Sequence, residues 1–313
     1  MKRFLLNVSL VSVVYVLVQT CFFVLFSIPP TISSSYSLDK KLFYLYTRNF
    51  EKRISTIAVG SSMTLNNLHS ETLVQYVGND FFNISSWGQS IETTFYLSKF
   101  YIENYVPTTF ILVSSFPDFS DDGENHNYEL PTYEDLDVLL NKKMGYLYLN
   151  LKKDPIRVTL ENVRTKDSTL ITSLNFDIKG GVKLNVPKEK IEPGRWNEKF
   201  SFPKKNTKYQ YECLASFCSY LEEKKVQFIF IQPPYRKGYV STDVDMANAN
   251  HHYMICDSIV KAHHYLYLNY TNRVEFENDD LFADQIHLQE SGSAILTNLV
   301  ISDLKANGIS FGY

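Results

Sequence analysis

Short apolar runs alternate with longer segments of helical spacing along most of the chain. The apolar runs predict strands at 55–59, 80–84, 108–113, 226–231 and 265–269. Helical spacing predicts helices at 65–77, 91–105, 209–225, 244–262 and 291–306. Buried strands that alternate with helices form a parallel sheet with both faces covered. The pattern therefore predicts an α/β fold, a three-layer α/β/α sandwich around a parallel five-stranded sheet.

The first apolar segment differs from all the others in length. Residues Phe4–Ile28 carry no charged side chain, and they follow Lys2 and Arg3. As a helix, the segment would extend about 37 Å, enough to cross a bilayer with some tilt. A cleaved signal peptide is the rival interpretation, but its apolar region is usually shorter and ends in small residues, unlike Phe26–Pro30 here. We expect an uncleaved, single-pass transmembrane signal anchor at 4–28.

The basic residues before this segment predict its orientation. Lys2 and Arg3 favour a cytoplasmic N-terminus. The rest of the protein would then be attached to the inner or plasma membrane and lie outside the cytoplasm, in the periplasm of a Gram-negative cell. We expect a juxtamembrane stalk at 29–54 and one domain at 55–313.

The alternation of strands and helices is interrupted by an insertion at about 120–205. This stretch is rich in Lys, Asp and Asn and contains a strand-like piece at Ser173–Ile178. It is either part of a substrate groove or a surface excursion, and the sequence does not separate the two.

Composition excludes several classes of function. The 313 residues carry a net charge of −3 with no basic tract, which argues against nucleic-acid binding. Three cysteines outside the anchor, Cys213, Cys218 and Cys256, leave room for at most one disulfide. The adjacent pairs His251–His252 and His263–His264 point in different directions on a helix or strand, so they are poor metal sites. We expect no metal and no diffusible cofactor.

Candidate chemistry begins where the first predicted strand ends, in the sequence IAVGSSMTLNNL. Gly60, Ser61 and Ser62 are either a polar turn in which a serine caps the next helix, or a turn that presents a nucleophilic serine. Working residues of parallel sheets lie on such loops at the carboxyl ends of strands. The Gly-x-Ser-x-Gly pattern of α/β-hydrolases fails at Thr64, and no Gly-Lys-Ser/Thr follows as in a phosphate-binding loop.

A base for such a serine stands near the C-terminus. Asp284 and His287 are three residues apart in DLFADQIHLQESG, just before the last predicted helix. A tight turn can direct both side chains at one place, so that Asp284 orients the imidazole and His287 accepts the serine proton. Alone, this spacing is more typical of a surface turn.

An oxyanion formed at the serine also needs donors. The backbone N–H of Ser62 is one. Gly88 follows the second predicted strand, and without a Cβ its backbone can approach a substrate closely.

The order of these residues on an alternating sheet resembles the SGNH/GDSL hydrolase superfamily, whose domain is flavodoxin-like. The resemblance covers about 55–119 and 206–306. The family is defined by a few short sequence blocks in a fixed order along the chain. Gly60–Ser62 matches the first block, Gly88 matches the glycine of the second, and Asp284 with His287 matches the last. It implies Ser62 as nucleophile, His287 as base, Asp284 as its partner, and the N–H groups of Ser62 and Gly88 as oxyanion donors. It most resembles the membrane-anchored branches that include DltD and the enzymes that acetylate exported polysaccharides.

The sequence departs from the family in the third block. That block usually holds an oxyanion-donating Asn, but the third predicted strand ends in Ser114 and Ser115. Either serine could replace the missing donor. Arg236 and Tyr235 follow the fourth strand and are further candidates for substrate contact, although a strand-ending turn is the favoured explanation for them.

The resemblance implies an extracytoplasmic serine enzyme that forms an acyl-Ser62 intermediate. The expected substrate is a polysaccharide or another acyl ester, with acetyl transfer or acetyl removal on a cell-envelope or secreted polymer. Water and a sugar hydroxyl are both open as acceptor, and a multispan membrane protein would be the acyl-transfer partner. Two alternatives remain: a non-catalytic SGNH-like module that binds glycan or a partner, and a lipid or thioester hydrolase at the membrane surface.

Overall fold

The computed structural model describes residues 1–26, 29–48, 54–120, 129–142, 144–152, 174–200 and 207–311. Its strands are β1 (Thr56–Val59), β2 (Phe81–Asn83), β3 (Thr109–Val113), β4 (Gln227–Gln232) and β5 (Leu266–Asn269). Its α-helices are α1 (Lys2–Phe26), α2 (Tyr36–Thr47), α3 (Ser62–Asn67), α4 (Ser70–Val77), α5 (Ile91–Tyr105), α6 (Tyr133–Asn141), α7 (Gly145–Lys152), α8 (Pro193–Trp196), α9 (Thr207–Glu223), α10 (Asp243–Ala262) and α11 (Glu290–Ala306).

The strands form one parallel sheet in the order β2-β1-β3-β4-β5, which confirms the predicted fold class. Thr56 of β1 pairs with Phe81 on one side and Thr109 on the other. The strand order reverses between β1 and β3, and in open α/β sheets ligands bind in the crevice beyond the carboxyl ends of the strands at such a point. The carboxyl end of β1 is therefore where the fold itself favours a site.

Alternating side chains of the central strands supply both faces of the sheet. Ile111 and Ile229 belong to a core that includes Leu296 of α11. Phe110 and Phe228 lie on the other face, where both rings contact the ring of Phe217 in α9. Helices α3, α4 and α11 pack together, as do α5, α9 and α10. This is the three-layer arrangement that the hydrophobic pattern predicts.

The prediction of a single helix at 65–77 is wrong. Leu68 is extended, and the chain forms two short helices, α3 and α4. The side chain of His69 caps α4 by accepting a hydrogen bond from the N–H of Thr72 at 3.3 Å. The apolar spacing runs through the break because Leu68 and Leu73 both pack into the same core.

The strand-like piece expected at Ser173–Ile178 also differs from the structure. Ser173 lies outside the described residues, and 174–178 form no strand. Asp177 Oδ1 instead accepts hydrogen bonds from the N–H groups of Lys179 and Gly181 at 2.8 and 3.1 Å. An Asp that satisfies nearby backbone donors favours a turn over a strand ladder.

The described residues divide into two compact units. One contains 1–48 and 129–152, and the other contains 54–120 and 174–311, including the sheet. The expected insertion thus contributes 129–152 to the first unit and 174–200 to the second.

The first unit contains α1, α2, α6 and α7. Within α1, residues Lys2–Cys21 are mostly apolar and not buried, and they form the one helix in the described part of the chain that is long and apolar enough to cross a membrane. Helix α2 occupies part of the expected stalk and packs on α6. The rings of Phe43 and Tyr146 lie 4.7 Å apart, so an aromatic cluster joins α2 to α7.

Candidate active site

The turn after β1 is shaped by Gly60. Its φ of +129° is a conformation that other residues rarely adopt, and a Cβ here would lie 2.6 Å from Thr64 Oγ1 and 2.7 Å from Leu112 Cδ1. The tight turn lets α3 begin immediately, at Ser62. Glycine is therefore required at this position by both backbone conformation and space.

The two serines of this turn do different things. Ser61 is the N-cap of α3, and its hydroxyl accepts a hydrogen bond from the N–H of Met63 at 3.1 Å. Ser62 is partly exposed, and its Oγ lies 2.9 Å from His287 Nε2. The capping interpretation thus describes Ser61, while Ser62 remains available for chemistry.

Asp284 and His287 complete a hydrogen-bonded chain with Ser62. His287 Nδ1 lies 2.8 Å from Asp284 Oδ2. The other carboxylate oxygen, Oδ1, accepts from the N–H groups of Ile286 and His287 at 2.9 and 2.8 Å. The structure brings together three residues of which two are 225 positions apart in sequence.

The loop that carries this pair is held from α3. Asn67 Nδ2 donates to the carbonyl of Ile286 at 3.2 Å, and its Oδ1 accepts from the N–H of Leu288 at 2.9 Å. Asn67 is fully buried. The sequence analysis missed this residue, because its neighbours in the helix are mostly polar and only burial shows that the amide needs partners.

The charges of Asp284 and His287 stabilise each other. Burial alone would raise the pKa of Asp284 and lower that of His287. Their mutual attraction and hydrogen bond outweigh burial, so the pKa of Asp284 falls well below its usual range and that of His287 rises above the ordinary 6.5. The imidazole is therefore a stronger base than a free histidine.

A second carboxylate, also missed by the sequence analysis, lies close to this pair. Asp118 follows β3, is 6% exposed, and accepts hydrogen bonds from the hydroxyls of Ser61 and Ser114. Burial raises the pKa of Asp118 to about 6, against the lowering effect of its hydrogen bonds and of nearby His287. Through Ser61, Asp118 connects the end of β3 to the turn that holds Ser62.

These contacts bear on the expected replacement of the family's Asn. The Ser114 hydroxyl donates to Asp118 at 2.8 Å, and the Ser114 N–H donates to the carbonyl of Ile231 at 3.0 Å. The N–H of Ser115 also points to Asp118, at 3.3 Å. These groups stabilise the end of β3, so an oxyanion role for Ser114 or Ser115 stays a prediction that would require them to exchange partners.

Gly88 is exposed in an otherwise largely buried segment that follows β2, and its φ is +68°. This segment is joined to the serine turn by a hydrogen bond from the N–H of Ser86 to the carbonyl of Gly60, at 3.1 Å. The second and first blocks of the resemblance are therefore neighbours. That the N–H groups of Gly88 and Ser62 bind an oxyanion stays a prediction.

Comparisons with known proteins add little to this geometry. The sequence matches no protein-family model and no curated protein. Similar solved structures include a candidate acylhydrolase from Bacteroides fragilis, with 10% identity and a TM-score of 0.42 over 84% of this chain and 94% of that one. A GDSL-like lipase from Bacteroides thetaiotaomicron has 12% identity and a TM-score of 0.41, covering 85% and 98%.

A third similar structure is an alpha/beta hydrolase enzyme from the metagenome of Lake Arreo, Spain. It has 9% identity and a TM-score of 0.41, covering 85% of this chain and 99% of that one. Identities and TM-scores this low assign neither activity nor substrate to the protein.

Arg236 follows β4, as expected, but its guanidinium is largely engaged within the protein. Nη1 lies 3.1 Å from Asp279 Oδ2, and Nε donates to Gln285 Oε1 at 3.2 Å. Nη2 donates to the carbonyl of Trp196 at 2.8 Å. These bonds fasten α8 and the loop of Asp284 to the end of β4, and substrate contact by Arg236 stays a prediction.

A cavity of about 230 Å³ lies beside Trp196 and Asp279, the residues that are bonded to Arg236. It is bounded by Val186, Lys188, Ile191, Trp196, Asp279, Asp280, Phe282 and Gln289. Ser62, Asp284 and His287 do not line it, so the cavity does not contain the hydrogen-bonded chain.

The remaining cysteines and histidines belong to the packed interior or the surface. Cys213, Cys218 and Cys256 are buried and unbridged. Burial lowers the pKa of His252 to about 3, and its Nδ1 lies 2.8 Å from the Tyr211 hydroxyl, as for a neutral core histidine. No group of three His, Cys, Asp or Glu placed to hold a metal occurs within the described ranges.

Proposed function

We propose that the sheet unit is a serine acyl-ester enzyme of the SGNH type. The observation that carries this proposal is the chain of hydrogen bonds from Ser62 through His287 to Asp284, at 2.9 and 2.8 Å, at the carboxyl end of β1. A serine hydroxyl needs a base to become a nucleophile, and an oriented imidazole is the usual one.

The geometry supports a two-step reaction. Ser62 Oγ attacks the ester carbonyl carbon while His287 Nε2 takes the hydroxyl proton. The tetrahedral oxyanion accepts hydrogen bonds from the N–H groups of Ser62 and Gly88. As the carbon–oxygen bond breaks, His287 returns the proton to the leaving alcohol and an acyl-Ser62 ester remains. Water or a second alcohol then attacks this ester with the help of the same base, which regenerates Ser62.

The anchor suggests where this chemistry takes place. We propose that α1 crosses the cell membrane once, with the N-terminus in the cytoplasm because of Lys2 and Arg3. The substrate would then be an acyl ester outside the cytoplasm, and the resemblance favours acetyl groups on a cell-envelope or secreted polysaccharide. Protease added to spheroplasts, which have no intact outer membrane, should remove a C-terminal tag from the full chain; a fully protected tag would overturn the orientation.

The enzymatic proposal is tested with the full chain in neutral detergent. Wild type should hydrolyse p-nitrophenyl acetate and show an acetyl adduct by intact mass, and Ser62→Ala should show neither. Ser216→Ala is the matched control, because this serine lies on α9 and its hydroxyl only donates to the carbonyl of Glu212. Hydrolysis by Ser62→Ala at the wild-type rate would refute the assignment. Added oligosaccharides separate transfer from hydrolysis by the appearance of acetylated sugar.

A further inference from the structure

Arg195 brings a positive charge to the edge of the proposed active site. It lies in α8, within the expected insertion, and its side chain is 39% exposed. Its Nη1 is 3.8 Å from Asp284 Oδ2, and its Nε is 3.5 Å from Glu192 Oε2. Charge-assisted hydrogen bonds in proteins are usually about 2.7–2.9 Å long. Neither contact is that close, so the guanidinium keeps donors for another anion.

The backbone beside this arginine is held through its neighbour in sequence, Trp196. The carbonyl of Trp196 accepts hydrogen bonds from Arg236 Nη2 and from Gln285 Nε2. The Arg236 guanidinium also stacks on the Trp196 ring, 4.0 Å from its centroid. Gln285 directly follows Asp284, so α8 is attached to the same loop that carries Asp284.

Asp284 does not need this arginine as a partner. Its two oxygens already accept from the N–H groups of Ile286 and His287 and from the imidazole. The charge of Arg195 also lowers the pKa of His287, opposing Asp284 and Asp118, which raise it. Arg195 therefore weakens the base while its neighbour Trp196 is bonded to the loop of that base, and we explain an arginine kept at this position by a ligand.

We propose that Arg195 binds a carboxylate on the alcohol part of the ester, so that the enzyme prefers acidic substrates. The inference rests on the proposed function and deepens it. His287 must reach the alcohol oxygen to return its proton, and Arg195 lies near that imidazole, with its Nη1 3.8 Å from Asp284 Oδ2. The planar guanidinium presents parallel donors that match a carboxylate. The substrate class is therefore an acyl ester of an acidic alcohol, such as an O-acylated uronic acid.

The test compares two acetyl esters of the same aromatic ring, 4-acetoxybenzoate and its uncharged methyl ester, through the change of their rate ratio between variants. The full chain is assayed in neutral detergent as wild type, Arg195→Gln, Arg195→Lys and Arg273→Gln. Arg273 is the control, because its Nη2 pairs with Glu275 at 3.1 Å. Losing a charged hydrogen bond should reduce kcat/KM of Arg195→Gln for the carboxylate ester by about tenfold, mainly through KM. At a pH above the kinetic pKa, the methyl ester should change by less than about twofold, because it has no carboxylate for Arg195 to bind.

A purely electrostatic role of Arg195 would give a different result. Its removal would raise the kinetic pKa for both esters equally and leave their ratio unchanged, which would overturn the proposal. Equal loss for both esters, as from misfolding of α8, would overturn it too. Arg195→Lys should restore part of the preference, because it keeps the charge without the planar fork.

Binding is measured separately from turnover. In the Ser62→Ala chain, calorimetry should show 4-acetoxybenzoate binding more tightly than its methyl ester, and the added Arg195→Gln change should remove the difference. Equal binding of both esters would refute the Arg195 proposal even if wild type turns them over. If wild type turns over neither ester but the Ser62→Ala chain still binds the charged ester more tightly, the enzymatic proposal would be refuted and the Arg195 proposal would stand.

Discussion

The Asn67 side chain holds the backbone on both sides of His287, through its 3.2 Å bond to the Ile286 carbonyl and its 2.9 Å bond from the Leu288 N–H. Asn67 is on the helix that Ser62 begins, so one residue couples the positions of the proposed nucleophile and its base. Small displacements of such a pair reduce the catalytic rate strongly, because the reacting atoms must stay within hydrogen-bond distance.

Replacing Asn67 with Ala should reduce kcat by about tenfold or more, because the imidazole loses its alignment. The variant should also lose about 1–3 kcal/mol of unfolding free energy, because two backbone groups lose their partner. Initial rates and urea unfolding measure the two effects. Asn66→Ala is a matched control: Asn66 donates to the carbonyl of Val182, so its loss should lower stability and leave kcat nearly unchanged. Equal kcat in the two variants would contradict the positioning role.

The activity should rise with pH as His287 loses its proton. Because Asp284 raises the pKa of His287, the kinetic pKa of kcat/KM should lie above 6.5. Asp284→Asn should lower this kinetic pKa and reduce kcat by about 10³–10⁴, as for other oriented triads. A profile for the variant that coincides with the wild type would show that Asp284 does not act on His287.

Asp118 should make the protein less stable as pH rises through about 6. The folded state holds the Asp118 proton up to that pH, while the unfolded chain releases it near the ordinary value of about 3.9. Between these two values the folded state binds more protons, so the free energy of unfolding falls with rising pH, by about 2–3 kcal/mol in total.

Urea unfolding at pH 4.5 and 7.5 measures this effect in the wild type and in Asp118→Asn. The variant cannot titrate at this position, so its stability relative to the wild type should increase with pH. A constant difference between the two proteins would mean that Asp118 has an ordinary pKa.

Gly60→Ala should destabilise the protein by more than about 2 kcal/mol, because it adds a steric clash to backbone strain. The added Cβ would meet Thr64 Oγ1 and Leu112 Cδ1 within 2.7 Å, and φ is +129°. Gly308→Ala is the control, since its φ of +68° brings strain but no atom lies within 4 Å. Thermal unfolding should rank Gly60→Ala well below Gly308→Ala, and similar midpoints would show that the turn adjusts freely.

The sequence by itself determined the sheet and the order of its working residues. Runs such as TFILV are too apolar and too short for anything but a buried strand between helices, so the parallel α/β fold follows from local composition. In that fold, a serine directly after β1 and an Asp-x-x-His between β5 and α11 are both expected at the edge of the sheet where the strands end. The 2.9 Å contact between Ser62 and His287 agrees with that expectation.

Only the tertiary structure decided what surrounds these residues. Asn67, Asp118 and Arg195 have no spacing that marks them, because their partners come from distant segments. Whether a polar side chain is buried, and so must find a partner, depends on the packing of the whole unit. The break between α3 and α4 was hidden for a related reason: burial against one core sets the apolar spacing, and that spacing does not record where the backbone turns.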